Sequence, residues 1–409
     1  MIDRRQLLRA IGGGTLAAGA GSFASVSLAF GAEQTVTLPF ANGQRPLIQY
    51  PQKRPLIRLT TRPPQLETPM SVFNEGVITP NDAFFVRYHL TEAPPQSLHL
   101  DPDTYKFEVK GKVNTPLTIS LNDLKTQFEP VEFVAVTQCS GNSRGFFEPR
   151  VAGGQVANGL MGNARWKGVP LKKVLDKAGV QRGARQVTFD GYDAPAMPAT
   201  PDFVKALDVD HALDGEVMLA YSMNGADIPV LNGYPVRLIV PGYYGTYWVK
   251  HVKEITVLDH EFDGFWMKTA YRIPANTCAC VPPGTAPKST VPINRFDVRS
   301  FITNLSDGAK VKAQRELVVK GIAFDGGYGV TEVAISTDGG RTWADAKLGK
   351  DLGKYSFREW QAAVKLAVGT HALKVRAVNR IGQSQPTEPL WNPTGFMRNV
   401  VEIINVVAA

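Results

Sequence analysis

Residues 136–150 read VTQCSGNSRGFFEPR, a single cysteine among small residues with an arginine five positions later. The run before it, EFVAVTQ, is rich in β-branched and apolar residues and predicts a strand. The run after it, SGNSRG, is punctuated by glycine and serine and predicts a turn. A strand therefore delivers the sulfur of Cys139 to a sheet edge where a loop begins. Free cysteine is ordinarily a buried, inert residue, but Arg144 supplies a positive charge that favours the thiolate. Inert filler, nucleophile, disulfide partner and metal ligand are the available roles. A nucleophile needs a base, and none of the six histidines (His89, His99, His211, His251, His260 and His371) stands in a cysteine-hydrolase context. A conventional metal site needs several protein ligands, and no CxxC or HxxxH spacing occurs. A lone thiolate on a metal otherwise held by a cofactor fits every one of these features.

The N-terminus bears on the same question. Arg4 and Arg5 precede a glycine-diluted apolar run, IGGGTLAAGAGSFASVSLAFGA, with small residues Ala29 and Gly31 ahead of Ala32. Residues 1–31 thus read as a twin-arginine signal peptide rather than a membrane anchor, and no further spanning segment follows. That route carries proteins already folded, commonly around an inserted cofactor. An exported protein favours paired cysteines, yet the chain has only three. Cys278 and Cys280, in TCACVPPG, could bridge across one residue or simply be buried; either way Cys139 is left over. The net charge of +8 falls to +6 without the signal peptide, which carries three arginines and one aspartate. The excess is spread along the chain with no Lys/Arg block, which argues against nucleic acid. A diffuse positive field suits an anionic substrate or an acidic redox partner.

Beyond the signal peptide, residues 32–69 are polar and proline-rich and read as an extended arm. Residues 70–280 alternate short β-type runs with turns: FFVRYHL, YKFEVKG, LTISL, EFVAVTQC, RQVTFDGYD, VRLIVPG and VKEITVL. Helical pattern is confined to PLKKVLDKAG and PDFVKALD. The mixture predicts an α+β domain built on a mixed sheet. Residues 281–292, VPPGTAPKSTVP, form a proline-rich linker. Residues 293–409 carry strands at short regular spacing (RELVVKGIAF, VTEVAISTD, YSFREWQAAV, HALKVRAVN, VVEIINVV), with hairpin chemistry at Thr337-Asp338-Gly339-Gly340. This predicts an immunoglobulin-like β-sandwich.

The segment around Cys139 resembles the cysteine loop of the sulfite oxidase family of molybdenum enzymes. The resemblance extends over nearly all of the mature chain. FFVRYHL is similar to the family's arginine-x-histidine strand, NARWKGVPL to its Ala-Arg-Trp element, and FDGYD to its pterin-contacting loop. MLAYSMNGADIPVLNGYPVRLIVPGYYGTYWVKHV resembles the long cofactor-binding stretch, and VAISTDGGRTW and LWNPTGF resemble parts of the C-terminal domain. The chain contains neither a CxxCH haem motif nor a cytochrome-b-type domain, and so looks most like the bacterial periplasmic sulfite dehydrogenases. The resemblance implies a molybdenum–molybdopterin cofactor with no haem on this chain, and oxygen-atom transfer to sulfite. It also implies a separate c-type cytochrome as electron acceptor, a homodimer formed through the C-terminal domain, and a periplasmic location.

By matching position, the resemblance makes Cys139 the thiolate ligand to molybdenum, which suits a soft donor. Arg87 would line the oxyanion pocket, with Tyr88 and His89 at the cofactor edge; on a strand Arg87 and His89 share a face. Arg144 would gate or neutralise the substrate site. Asp193, Arg237 and Lys250 would hold the pterin and its phosphate, with Asn232, Trp248 and Val249 in the same binding stretch. Tyr271 would donate a hydrogen bond near the metal, and Arg398 would reach the pocket from the C-terminal domain. The chain departs from the vertebrate pattern at Asn232, where they have histidine, and at Ser143, where they have arginine. GGQVANGL offers no counterpart to their active-site tryptophan. Alternative readings keep the molybdenum centre but change the substrate to sulfane sulfur, nitrate or a sulfoxide, or make the chain a cofactor-free binding protein.

Overall fold

The computed structural model describes residues 34–90, 100–195 and 197–409; the signal peptide read over residues 1–31 lies outside the described residues. The segment expected as an extended arm pairs with itself. Strands β1 (Thr35–Thr37), β2 (Gln44–Ile48), β3 (Leu56–Thr60), β4 (Gln65–Glu67) and β5 (Val86–Arg87) form a five-stranded antiparallel meander. Its prolines mask a β pattern, because Leu56 and Leu66 are fully buried and pack with Val86, Tyr88 and Leu231. The register sets Gln65 opposite Arg87, so the meander carries a residue singled out above. The expected strand FFVRYHL shortens to β5, since Phe84 leaves the ladder to pack edge-on against Trp166 and His89 turns to stack on Phe203.

The next stretch runs β6 (Lys106–Gly111), β7 (Leu117–Ser120), α1 (Leu121–Thr126), β8 (Val131–Gln138), β9 (Met161–Pro170) and α2 (Leu171–Ala178). It continues through β10 (Gln186–Gly191), β11 (Lys205–Asp208), α3 (Val209–Ala212), β12 (Met218–Met223), β13 (Ala226–Asp227), β14 (Arg237–Ile239) and β15 (Val252–Leu258). Helix α1 starts at a Ser120–Asp123 capping box. Helix α2 buries Leu171, Val174, Leu175 and Ala178 on one face and stops at Gly179, whose φ of +70° an L side chain resists. One sheet has the order β11-β10-β15-β6-β7, with β15 and β6 parallel; the other has the order β13-β12-β9-β8. The sheets are mixed, as expected. PDFVKALD, however, is strand β11 rather than helix: Lys205, Ala206 and Leu207 all point into protein and pair with β10.

The C-terminal part is the expected sandwich. One sheet contains strands Arg299–Ile302, Glu316–Phe324, Arg358–Lys365 and Lys347–Leu348. The other contains Ala309–Val311, Ile403–Ala408, Gly369–Asn379, Val330–Ser336 and Ala344–Asp345. The turn at residues 337–340 lies in the hairpin joining Val330–Ser336 to Ala344–Asp345. The end of the linker is itself paired, Thr290–Pro292 against Arg272–Pro274. Cys278 and Cys280 are disulfide-bonded in the loop after that first strand, which settles the choice left open between bridge and burial. Phe296, Phe301, Phe324 and Phe357 share one apolar cluster with Phe73, Phe84 and Val136. Val136 N–H donates to the Tyr355 carbonyl (2.9 Å), so the sandwich covers the edge strand that delivers Cys139.

Candidate active site

Strand β8 ends at Gln138, and Cys139, half-buried, opens the loop that follows. The loop is fixed from both sides. Cys139 N–H donates to the Leu160 carbonyl (2.9 Å), and Asn142 Oδ1 accepts from Leu160 N–H (3.0 Å). Behind it the buried carboxylate of Glu67 accepts from Ala157 N–H (3.1 Å) and Gly159 N–H (2.8 Å). Burial pushes the Glu67 carboxyl up to about 7, against the pull of those N–H groups. Ser143 takes a left-handed φ of +70°, and the helical turn Arg144–Phe146 then returns Arg144 towards the sulfur. A side chain at Gly141, Gly153 or Gly395 would come within 2.8–2.9 Å of the Arg144 side chain, so three glycines cradle it. Its Nε donates to the Thr394 carbonyl (3.2 Å) and its guanidinium lies over the Phe396 ring (4.9 Å). Burial lowers its pKa, and its electrostatic neighbours are Cys139, Tyr271 and Arg87.

Facing this loop is a cleft with about 630 Å³ of atom-free space, counting its open mouth. Arg87, Tyr88, His89, Cys139, Asp193, Arg237, Trp248, Val249, Lys250 and Tyr271 all line it. Ten of the residues singled out in the sequence thus converge on one wall-to-wall site. Tyr271, at a left-handed φ of +57°, aims its hydroxyl at His89 Nε2, and its ring stacks on Phe396 (5.3 Å between centroids). His89 lies flat on Phe203 (3.8 Å). Burial, with Arg87, Lys250 and Lys205 nearby, holds His89 well below the usual histidine range, so the imidazole is neutral at pH 7. Tyr88 hydroxyl meets His251 Nε2 (2.8 Å), and Lys250 Nζ sits over the Tyr88 ring (3.4 Å) while donating to the Arg87 carbonyl (2.7 Å). Burial and the neighbouring Arg237 hold Lys250 well below the ordinary lysine range. Arg237, from β14, is wedged between Trp166 (5.6 Å) and Trp248 (5.7 Å) and donates to the Asn232 carbonyl (2.9 Å). Burial raises the Asp193 carboxyl to about 6.

The lining has the marks of a receptor for a large anion bearing a soft metal. Arg237 Nε, Ser140 Oγ and Thr246 Oγ1 are buried at the cleft with no partner, although buried donors are normally satisfied. Arg87, Arg237 and Lys250 crowd one space, which calls for negative charge between them. Among the described residues no group of three or more His, Cys, Asp or Glu could hold a metal. A metal beside Cys139 would therefore need a non-protein group to complete its donors. The residues present fit a molybdenum–molybdopterin cofactor.

Three of the expected residues stand outside the lining, and the first is Arg144, whose side chain is held behind Cys139 by the Thr394 carbonyl and the Phe396 ring. Asn232 is buried but does not line the cleft: its Oδ1 accepts from Lys53 Nζ and its Nδ2 donates to the Phe85 carbonyl (3.0 Å). It props Arg237 and the start of the site strand instead of touching a ligand. Arg398 does not line the cleft either; it is spent on Glu402 and lies over the Phe146 ring (5.1 Å). Sequence reasoning passed over Phe85, Ser140, Phe203, Gly245 and Thr246 in the lining, and Lys205 behind it. Lys205 is fully buried, donates to the Trp266 carbonyl (2.7 Å) and sits under Tyr247 (4.6 Å) and Tyr271 (5.3 Å). Reading PDFVKALD as helix hid it, while Ser140 and Thr246 lie inside the quoted motifs and were passed over there.

Comparison with known proteins gives this geometry its context. Residues 93–266 match the oxidoreductase molybdopterin binding domain family, and residues 290–407 the Mo-co oxidoreductase dimerisation domain. Sulfite oxidase of Gallus gallus is 32% identical, covering 87% of this chain and 79% of that protein. The chain belongs to the sulfite oxidase family. The mitochondrial sulfite oxidase of Homo sapiens is also 32% identical, over 90% of this chain and 69% of that protein. The NADH nitrate reductase of Spinacia oleracea is 29% identical over 86% of this chain but only 40% of that protein. Among solved structures, the sulfane dehydrogenase SoxCD from Paracoccus pantotrophus superimposes with a TM-score of 0.70 at 24% identity, covering 95% of this chain and 96% of that one, and shares the fold. This sulfite oxidase family member is a molybdenum oxidoreductase carrying the molybdopterin cofactor, which overturns the cofactor-free reading. No helix among the described residues is long and apolar enough to cross a membrane.

Proposed function

We propose that this enzyme oxidises sulfite to sulfate in the periplasm and passes the electrons to a separate c-type cytochrome. The observation that carries the reading is the position of Cys139 at the end of a cleft flanked by Arg87, with Arg144 close behind. The bound cofactor supplies oxygen-atom transfer and storage for the electrons released. The chain supplies the rest. Cys139 is the protein's ligand to the metal, and Arg237, Lys250 and Asp193 hold the pterin and its phosphate. Arg87 and Arg144 attract a dianion and keep fixed cations where its charge shifts during reaction. Neutral His89 orients the Tyr271 hydroxyl, so that Tyr271 can donate to an anion oxygen. The dimerisation-type domain at residues 290–407 supports a homodimer.

The test measures molybdenum content together with cytochrome c reduction driven by sulfite or by thiosulfate-type sulfane sulfur, and the reduction of nitrate or of a sulfoxide with a reduced viologen dye as electron donor. Sulfite is expected to give a kcat/KM at least about a hundredfold above the others. Preference for another substrate would overturn the sulfite assignment while keeping the metal centre. In the same assay Cys139→Ser is expected to lose at least about a hundredfold in kcat while its circular dichroism stays native. Turnover by that variant at the wild-type rate would remove the thiolate role.

A further inference from the structure

Beneath the turn that carries Arg144, the C-terminal sandwich gathers charged side chains that the sulfite reading does not use. Arg299 is 1% exposed, and its Nη2 donates to Ser143 Oγ (3.0 Å) and Glu402 Oε1 (3.2 Å). Arg398 donates to the same glutamate. Burial lowers the Arg299 pKa to about 10, which leaves it charged at neutral pH.

This cation is not needed to neutralise Glu402, because Arg398 already does so. It is also expensive to keep: Arg299 Nε and Nη1 are buried without partners, and an apolar residue in such a place is often no less stable. Besides lying over the Phe301 ring (4.5 Å), Arg299 provides a bond to Ser143 Oγ that Arg398 does not make. Ser143 is a non-glycine residue at φ +70°, a backbone state that L side chains disfavour. Its Oγ is held on the other side by Asn158 Oδ1 (2.5 Å), and its N–H donates to the Ala157 carbonyl (2.7 Å). The next residue is Arg144, packed so closely by Gly141, Gly153 and Gly395 that a small rotation of the turn would move its guanidinium bodily.

We infer that Arg299 is a positioning residue for Arg144: by gripping Ser143 it fixes the turn that aims the Arg144 guanidinium at the substrate anion. The C-terminal sandwich thereby completes the anion site of the catalytic domain. The inference rests on the anion role of Arg144 proposed above.

The experiment is a double-mutant cycle on the molybdenum-loaded enzyme. It reads KM and kcat for sulfite, and the Kd of sulfate by calorimetry, all normalised to molybdenum. Arg299→Met is expected to raise KM and the sulfate Kd about tenfold with kcat changed less than about twofold. Arg299→Lys, which can still donate to Ser143, is expected to recover most of the loss. In an Arg144→Gln background Arg299→Met is expected to change neither constant, because its effect passes through Arg144. An unchanged KM in Arg299→Met, or the same tenfold rise on top of Arg144→Gln, overturns the inference. Should Arg299→Met fold poorly, Ser143→Ala removes the acceptor, along with the hydroxyl's bond to Asn158 Oδ1, and must show the same non-additive pattern, with Asn158→Ala as the control for that second bond; no change in Ser143→Ala also overturns it. If Arg144→Gln alone leaves KM unaltered, the proposed anion role of Arg144 has failed instead.

Discussion

Arg87 links the meander to the chemistry. It lies opposite Gln65 in the sheet, lines the cleft with its side chain, and takes a hydrogen bond from Lys250 on its carbonyl. Arg87→Met should keep the backbone contact to Lys250 and remove the cation together with its hydrogen bond to the Tyr88 carbonyl. The expected result is a roughly ten- to hundredfold rise in KM for sulfite, the range for losing a charged hydrogen bond, with a smaller change in kcat. Steady-state kinetics at several ionic strengths checks this, and a KM that stays put throughout would count against an anion pocket there. At this scale most of the site was legible: Cys139, Arg87, His89, Lys250 and Tyr271 each stand in a short motif whose chemistry is local. Asn232 and Arg398 were not, because what occupies them comes from elsewhere. Lys53 of the meander claims the amide of Asn232, and Glu402 claims Arg398.

At the scale of the element, β4 deserves the closest look, since its last residue, Glu67, supports the loop at residues 157–159 from behind. Its carboxyl titrates near 7 in the fold against 4.5 when unfolded. A raised acid binds more protons folded than unfolded, so its contribution to stability is complete below about 4.5 and is lost as pH rises through about 7. The melting temperature of the native enzyme relative to Glu67→Gln should therefore fall by a few degrees, roughly, between pH 5 and pH 8. Parallel melting curves across that range would show that Glu67 does not titrate there. The elements misread from sequence failed for related reasons. Proline spacing disguised the meander, whose burial depends on Tyr88 and Leu231 far along the chain. PDFVKALD has helix-forming residues at helical spacing, but pairing with β10 and the burial of Lys205 override that preference.

At the scale of the molecule, the sandwich and the cofactor-binding sheets share an apolar core, so the proline-rich linker does not separate independent bodies. Residues 34–409 make one compact unit. Calorimetry of the enzyme should give a single cooperative transition, and residues 34–289 expressed alone should not fold, because Phe73 would lose Phe357 and the edge strand at Val136 would lose the Tyr355 carbonyl. Phe357→Ala, which opens that shared core, should cost about 3–5 kcal/mol in denaturant titrations. Two separated transitions would show that the halves fold on their own. The strand pattern announced both halves; their common core was invisible in the sequence because it is made by contacts such as that of Phe73 with Phe357, more than two hundred residues apart.

The crowd of like charges around Arg237 and Lys250 has a bearing on biogenesis. Before it meets its anionic prosthetic group, the chain holds the Arg237 guanidinium near the buried Lys250 amine, and burial and that neighbour both work against Lys250 keeping its proton. Binding an anionic group there would favour the protonated form of Lys250 and add its binding free energy to the stability of the fold.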